Sequence, residues 1–155
     1  GLFHQQLMKA YAMMHKRVMN EAQKLGLTAG QPKILEYLLT QEGAEQYRIA
    51  KHCEIEPATV GSILNRMEAS GLVERRRLGT NRRSLYVYLT EKGRKAALEV
   101  ENIFAKAESE ALEGIGAEER EKMSGILTEV YKNLSKTEED HSQHIDRIVA
   151  DRTAA

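Results

Sequence analysis

Five arginines, Arg75, Arg76, Arg77, Arg82 and Arg83, fall within nine positions of a 155-residue chain whose formal net charge is zero. Overall neutrality conceals segregation. Residues 1–73 hold eight Lys/Arg against seven Asp/Glu, residues 74–95 hold eight against two, and residues 96–155 hold seven against fourteen. A short basic block between a near-neutral half and an acidic end is the pattern of a local surface for a polyanion, the remaining charge keeping the molecule soluble. A solvated basic loop would carry the same charges, so a fold motif around the block has to separate the two readings.

Other residues with chemical potential are isolated. No phosphate-cradling glycine loop, paired-cysteine motif or nucleophile elbow is present, and a lone Ser or Cys without a placed base is not a catalytic site. An enzyme is not expected. Cys53 is the single cysteine, which rules out an internal disulfide and agrees with a reducing compartment. It lies on the apolar stripe of a short helical pattern, which reads as a buried structural thiol; a redox switch is the alternative. His141 and His144 are spaced i, i+3 and have the geometry to share a metal with Glu138, Glu139 or Asp140, but two histidines in a polar tail read first as solvated, and no metal is expected.

The elements that must position the arginines are legible from periodicity. Leu7, Met8, Tyr11, Met14, Val18 and Met19 recur at steps of three and four, predicting one amphipathic helix over residues 2–25 that Gly26 ends. Ile34, Leu35, Leu38 and Leu39 form the next stripe, with Thr28 and Gln31 in capping-box spacing. Pro32 is awkward in that cap, which favours a start near Gln31, and Gly43 closes the segment. "YRIAKHC" then places Ile49, Ala50 and Cys53 on one side, "EIE" is a turn, and "PATVGSILNRMEASG" starts on Pro57 and stops at Gly71.

That succession is a helix-turn-helix. Val60, Ile63, Leu64 and Met67 fall at i, i+3, i+4 and i+7 and face the protein. The opposite face carries Ala58, Thr59, Gly61, Ser62, Asn65 and Arg66, small or hydrogen-bonding groups with no acidic side chain. A helix of about 14 residues is roughly 21 Å long. Its small outer residues allow its backbone close to the floor of a major groove about 12 Å wide. "LVERR" and "LYVYL" have strand character, and "LGTNRRS" between them supplies turn formers, predicting a hairpin over 73–89 with a basic tip. A hairpin after a helix-turn-helix is a wing, whose arginines reach phosphates or the adjacent minor groove.

The order long helix, "LTAGQPKILEYLL", helix-turn-helix, "ASGLVERR", basic wing, "VYLTEKG" and two further helices resembles the MarR family of winged-helix transcriptional regulators over essentially the whole chain. The resemblance implies a mainly α fold with a small β wing, organised as a winged helix-turn-helix region over 28–95 plus helical dimerisation regions over 2–25 and 96–150. Together these form a single unit over 1–155. It implies an obligate homodimer on double-stranded DNA with an inverted-repeat operator. Base-edge contacts are then carried to Pro57, Ala58, Thr59, Gly61, Ser62, Asn65 and Arg66, and wing contacts to Arg75, Arg77, Asn81, Arg82 and Arg83. Arg83 takes the minor-groove role; the acidic residue that normally braces it is replaced by Asn81, which cannot pair as a charge.

Leu7, Tyr11, Met14, Met123, Ile126, Leu127, Val130 and Leu134 are the expected dimerisation residues, Ile103, Phe104, Ala107, Ala111 and Leu112 linking them to the wing as a long helix. Beyond Ser135 one or two further helical turns are expected. The six methionines read as core fillers or as the lining of a pocket for a small-molecule effector. With no run of 18 apolar residues and no signal-peptide pattern, a cytoplasmic protein without membrane contact is expected. The rival readings are a metal- or redox-sensing regulator of the same fold and a winged-helix module that binds only protein.

Overall fold

The computed structural model describes residues 1–79 and 84–154, with residues 137–146 given by their backbone alone. The chain divides into two compact units, Gly1–Ala111 and Leu112–Ala155. The first unit contains α1 (Phe3–Ala22, ending in a 3-10 turn at Gln23–Leu25), α2 (Gln31–Thr40), β1 (Ala44–Glu45), α3 (Gln46–Cys53), α4 (Pro57–Ala69), β2 (Val73–Arg76), β3 (Tyr86–Leu89) and α5 (Glu91–Ala111). The second is built on α6, Ala117–Ala154, which continues well past the one or two turns expected after Ser135. Among the described residues no helix is long and apolar enough to cross a membrane.

One apolar cluster holds the first unit together. Ile34, Leu35 and Leu38 of α2, Ile49 and Cys53 of α3, Val60, Leu64 and Met67 of α4, Val73, Val87 and Leu89 of the sheet, and Ala97 and Val100 of α5 are all buried in it. Each large aliphatic side chain fully removed from water contributes about 1.5–3 kcal/mol. The periodicity that predicted these helices is therefore the periodicity of burial, with Ile63 and Phe104 packed at the cluster's edge.

Two local details differ from the sequence pattern. α2 starts at Gln31, as Pro32 favours, but its N-cap is Gly30 and not Thr28. Gln31 nevertheless completes half of a capping box, its Oε1 accepting the Thr28 amide at 3.2 Å. The sheet has three antiparallel strands in the order β1-β3-β2, where a two-stranded hairpin was expected. Val73 pairs with Leu89 and Arg75 with Val87, while Ala44 pairs with Val87 from the other side. Two residues are too few to show an alternating pattern, so β1 has no periodic signature.

The wing is rooted at Gly71–Leu72. Gly71 adopts φ +77°, and the amides of Gly71 and Leu72 close on the carbonyls of Glu68 and Met67 at 3.1 and 2.9 Å, a Schellman end to α4. The returning chain lands on the same two residues. Thr90 donates its amide to the Leu72 carbonyl at 3.1 Å and its hydroxyl to the Gly71 carbonyl, while accepting the Gly93 amide at 3.0 Å as the cap of α5. A Cβ on Gly93 would lie 1.8 Å from the Leu72 carbonyl oxygen, so only glycine allows this approach.

Gly93→Ala is expected to destabilise the protein by about 3 kcal/mol, the upper part of the range for a forced backbone shift. Gly125→Ala, inside α6 with nothing within 4 Å of the added methyl, is expected to stabilise by about 0.5–1 kcal/mol. Equilibrium urea unfolding of the two variants beside wild type checks both signs.

Candidate nucleic-acid interface

The face of α4 that meets the core is completely buried at Val60, Leu64 and Met67. The other face is open: Pro57, Ala58, Thr59, Ser62, Asn65 and Arg66 are exposed and Gly61 is half-buried. Pro57 opens the helix where its missing amide costs nothing. The Ser62 hydroxyl donates to the Ala58 carbonyl at 3.3 Å, which spends its proton inside the helix and leaves its lone pairs outward.

The turn between α3 and α4 depends on Glu54, which takes φ +54° without being glycine. Its amide and that of Ile55 close on the carbonyls of Lys51 and Ala50, so the left-handed residue ends α3 and sends the chain directly into α4. Ala50, Ile49 and Cys53 are buried beneath this turn as the sequence pattern required.

The arginines of the wing are not equivalent. Arg75 lies against α4: its backbone amide and Nε both donate to Glu68 Oε2 at 3.2 Å, Nη1 donates to Gln46 Oε1 at 3.4 Å, and Nη2 donates to Asn65 Oδ1. Only 15% of its side chain is exposed. It ties β2 to the start of α3 and the C-terminal half of α4, a brace within the interface more than a projecting charge. Arg76 pairs with Glu74 at 3.0 Å and lies 4.3 Å from the Tyr88 ring centroid, and Arg77 is exposed. Asn81, Arg82 and Arg83, assigned to the wing tip, lie outside the described residues.

Gln46 and Glu68 have no counterpart among the residues the sequence singled out. They precede Arg75 by 29 and 7 positions, and no periodic or motif signal links such separations. The residues assigned to dimerisation lie in both units. On α1, Leu7 and Tyr11 are exposed and Met14 is half-buried; on α6, Met123, Ile126, Leu127 and Leu134 are exposed and Val130 is half-buried. Large apolar side chains at helical spacing thus remain in solvent on both helices.

This architecture is a winged helix-turn-helix. Residues 27–85 match the model of the MarR family. Solved structures share the fold. The transcriptional regulator SlyA is 24% identical with a TM-score of 0.79, the match covering 88% of this chain and 95% of that one. The MepR–DNA complex of S. aureus is 26% identical with a TM-score of 0.76, covering 86% and 98%. A MarR mutant of E. coli complexed with operator DNA is 18% identical with a TM-score of 0.74, covering 82% and 91%.

Among the described residues no three His, Cys, Asp or Glu side chains come together to hold a metal. His141 and His144 lie outside the described side chains. Cys53 is buried, and its thiol is pushed up to about 11, mainly by burial, with Glu36 adding and Lys33 opposing. Its thiolate fraction near pH 8 is therefore roughly a hundredfold below that of an ordinary cysteine, which argues against a redox switch. The native protein at pH 8 is expected to react with iodoacetamide at least about 100 times more slowly than the same chain in denaturant. Mass spectrometry of timed samples reads the two rates; equal rates would return Cys53 to the list of sensing residues.

Proposed function

We propose that this protein is a homodimeric, sequence-specific regulator of transcription that binds double-stranded DNA at an inverted repeat and represses by occupying a promoter. The observation that carries the reading is the two-sidedness of α4. Val60, Leu64 and Met67 on its inner face are wholly buried, and its outer residues are small or hydrogen-bonding, exposed except for half-buried Gly61, and set beside the wing strand that carries Arg75 and Arg76. Such a helix enters a major groove, and the basic wing supplies phosphate and minor-groove contacts. Structures of similar fold bound to DNA, those of MepR and of the E. coli MarR mutant, support it.

The dimer follows from the unpartnered apolar faces. Tyr11 is 57% exposed, Ile126 63% and Leu134 62%, side chains that a second copy of the chain would remove from water. A two-fold axis then relates two copies of α4, which read half-sites spaced about one helical turn, roughly 34–36 Å. Release by a small-molecule effector belongs to the same reading. An apolar cleft between α1 and α5, lined by Met13, Met14, Ala107 and Ala111 beside the Arg17–Glu110 ion pair, is a place for one. A ligand there releases DNA only by binding more tightly to the spacing that no longer fits the operator.

Selection of bound fragments from the source genome is expected to recover a palindromic site. Anisotropy titration on that site is expected to show two chains per duplex and a log–log salt slope of about −5 to −7, as six to eight phosphate contacts produce. Arg83→Ala, the variant that the resemblance marks, is expected to weaken binding on all sequences and to lower the slope by about one. No enrichment of any fragment, with weak and sequence-blind affinity, would instead leave a winged-helix module whose basic block serves another acidic partner.

A further inference from the structure

We propose that Arg75 is a positioning residue that decides which base edge the recognition helix reads, by holding the side-chain amide of Asn65 with its NH₂ group outward. The proposal rests on the DNA-binding reading and deepens it. A guanidinium carries five N–H donors and no acceptor. The Asn65 atom facing Arg75 Nη2 is therefore the carbonyl Oδ1, an assignment that follows from the chemistry of arginine rather than from a choice between look-alike atoms. Glu68 holds the guanidinium from behind through Nε, so Arg75 is not free to turn away.

The same guanidinium orients a second amide. Gln46 Oε1 accepts from Arg75 Nη1 at 3.4 Å, and Gln46 Nε2 lies over Gly61, 3.5 Å from where a Cβ on that glycine would be. Two amides, one from α3 and one from α4, thus spend their oxygens on one arginine and keep their donors for the outer face of the recognition helix. Ser62, one turn earlier on that face, spends its own proton on the Ala58 carbonyl.

The consequence is a defined base preference. An unrestrained asparagine reads adenine with both atoms at once, donating to N7 and accepting from N6–H₂. With Oδ1 turned toward Arg75, Asn65 presents its NH₂ group outward. Guanine presents two adjacent acceptors, N7 and O6, and suits an outward NH₂ group; adenine and cytosine both set an amino group against it, and thymine offers O4 alone beside its methyl group. The operator base pair beneath Asn65 is thus read as guanine, once in each half-site.

The test is base preference, measured by competition anisotropy on the selected operator with every single base-pair change placed symmetrically in both half-sites. Wild type is expected to prefer guanine by about tenfold at one position, within the range for a good base contact. Asn65→Asp keeps an acceptor for Arg75 but turns its outer atom from donor to acceptor, so it is expected to move the preference at that position alone to cytosine. Arg75→Met frees the amide and is expected to move it to adenine. A merely structural role for Arg75 would change affinity or thermal stability without moving the preferred base. If Arg75→Met fails to fold, Asn65→Asp decides. A wild type that prefers adenine at the Asn65-dependent position, or an Asn65→Asp profile identical to wild type at every position, overturns the proposal while leaving sequence-specific DNA binding in place. A wild type with no sequence preference anywhere overturns the DNA-binding reading itself, and the proposal with it.

Discussion

The Leu72 carbonyl is the contact on which the winged unit turns. Leu72 ends α4 through its own amide, begins the wing through its chain direction, and receives Thr90 at the wing's return through its oxygen. Gly93 then passes so close to that oxygen that a methyl group would collide with it. Helix, hairpin and the following helix therefore share one point of closure. The register of Val73 on Leu89 and Arg75 on Val87 follows from it, because the two strands leave a common base in fixed alignment.

From that base the interface is held in two ways that differ physically. Val60, Leu64 and Met67 fix the depth and rotation of α4 by burial, which is non-directional and tolerates small adjustments. Arg75 fixes orientation by directed hydrogen bonds to Glu68, Gln46 and Asn65, which tolerate little adjustment. The first makes the helix present a face; the second makes particular atoms on that face point one way. Glu68 supplies the negative charge that lets an arginine serve this purpose at 15% exposure, where an unpaired guanidinium would be costly.

Charge is distributed to match. Arg75 and Arg76 lie on β2 and Arg77 just after it, Arg75 against α4, while Asp and Glu exceed Lys and Arg two to one over residues 96–155. A neutral molecule can in this way concentrate attraction for a polyanion on one segment.

Wherever a structural requirement repeats at short range, the sequence by itself determined it. The three-and-four spacing of Val60, Leu64 and Met67, Pro57 opening a helix, Gly71 ending it, and the alternation of Leu85, Val87 and Leu89 made the helix-turn-helix and the hairpin legible. Helical and extended backbones impose those periods within a few residues. The two-residue strand β1, the length of α6 and the division at Leu112 carry no such period and became visible only in the fold. The three arginines of "RRR" look identical in sequence; tertiary structure alone made Arg75 a brace and left Arg76 over Tyr88. Its partners come from positions 7, 10 and 29 residues away, and contacts at such separations are set by how elements pack rather than by the spacing of residues along the chain.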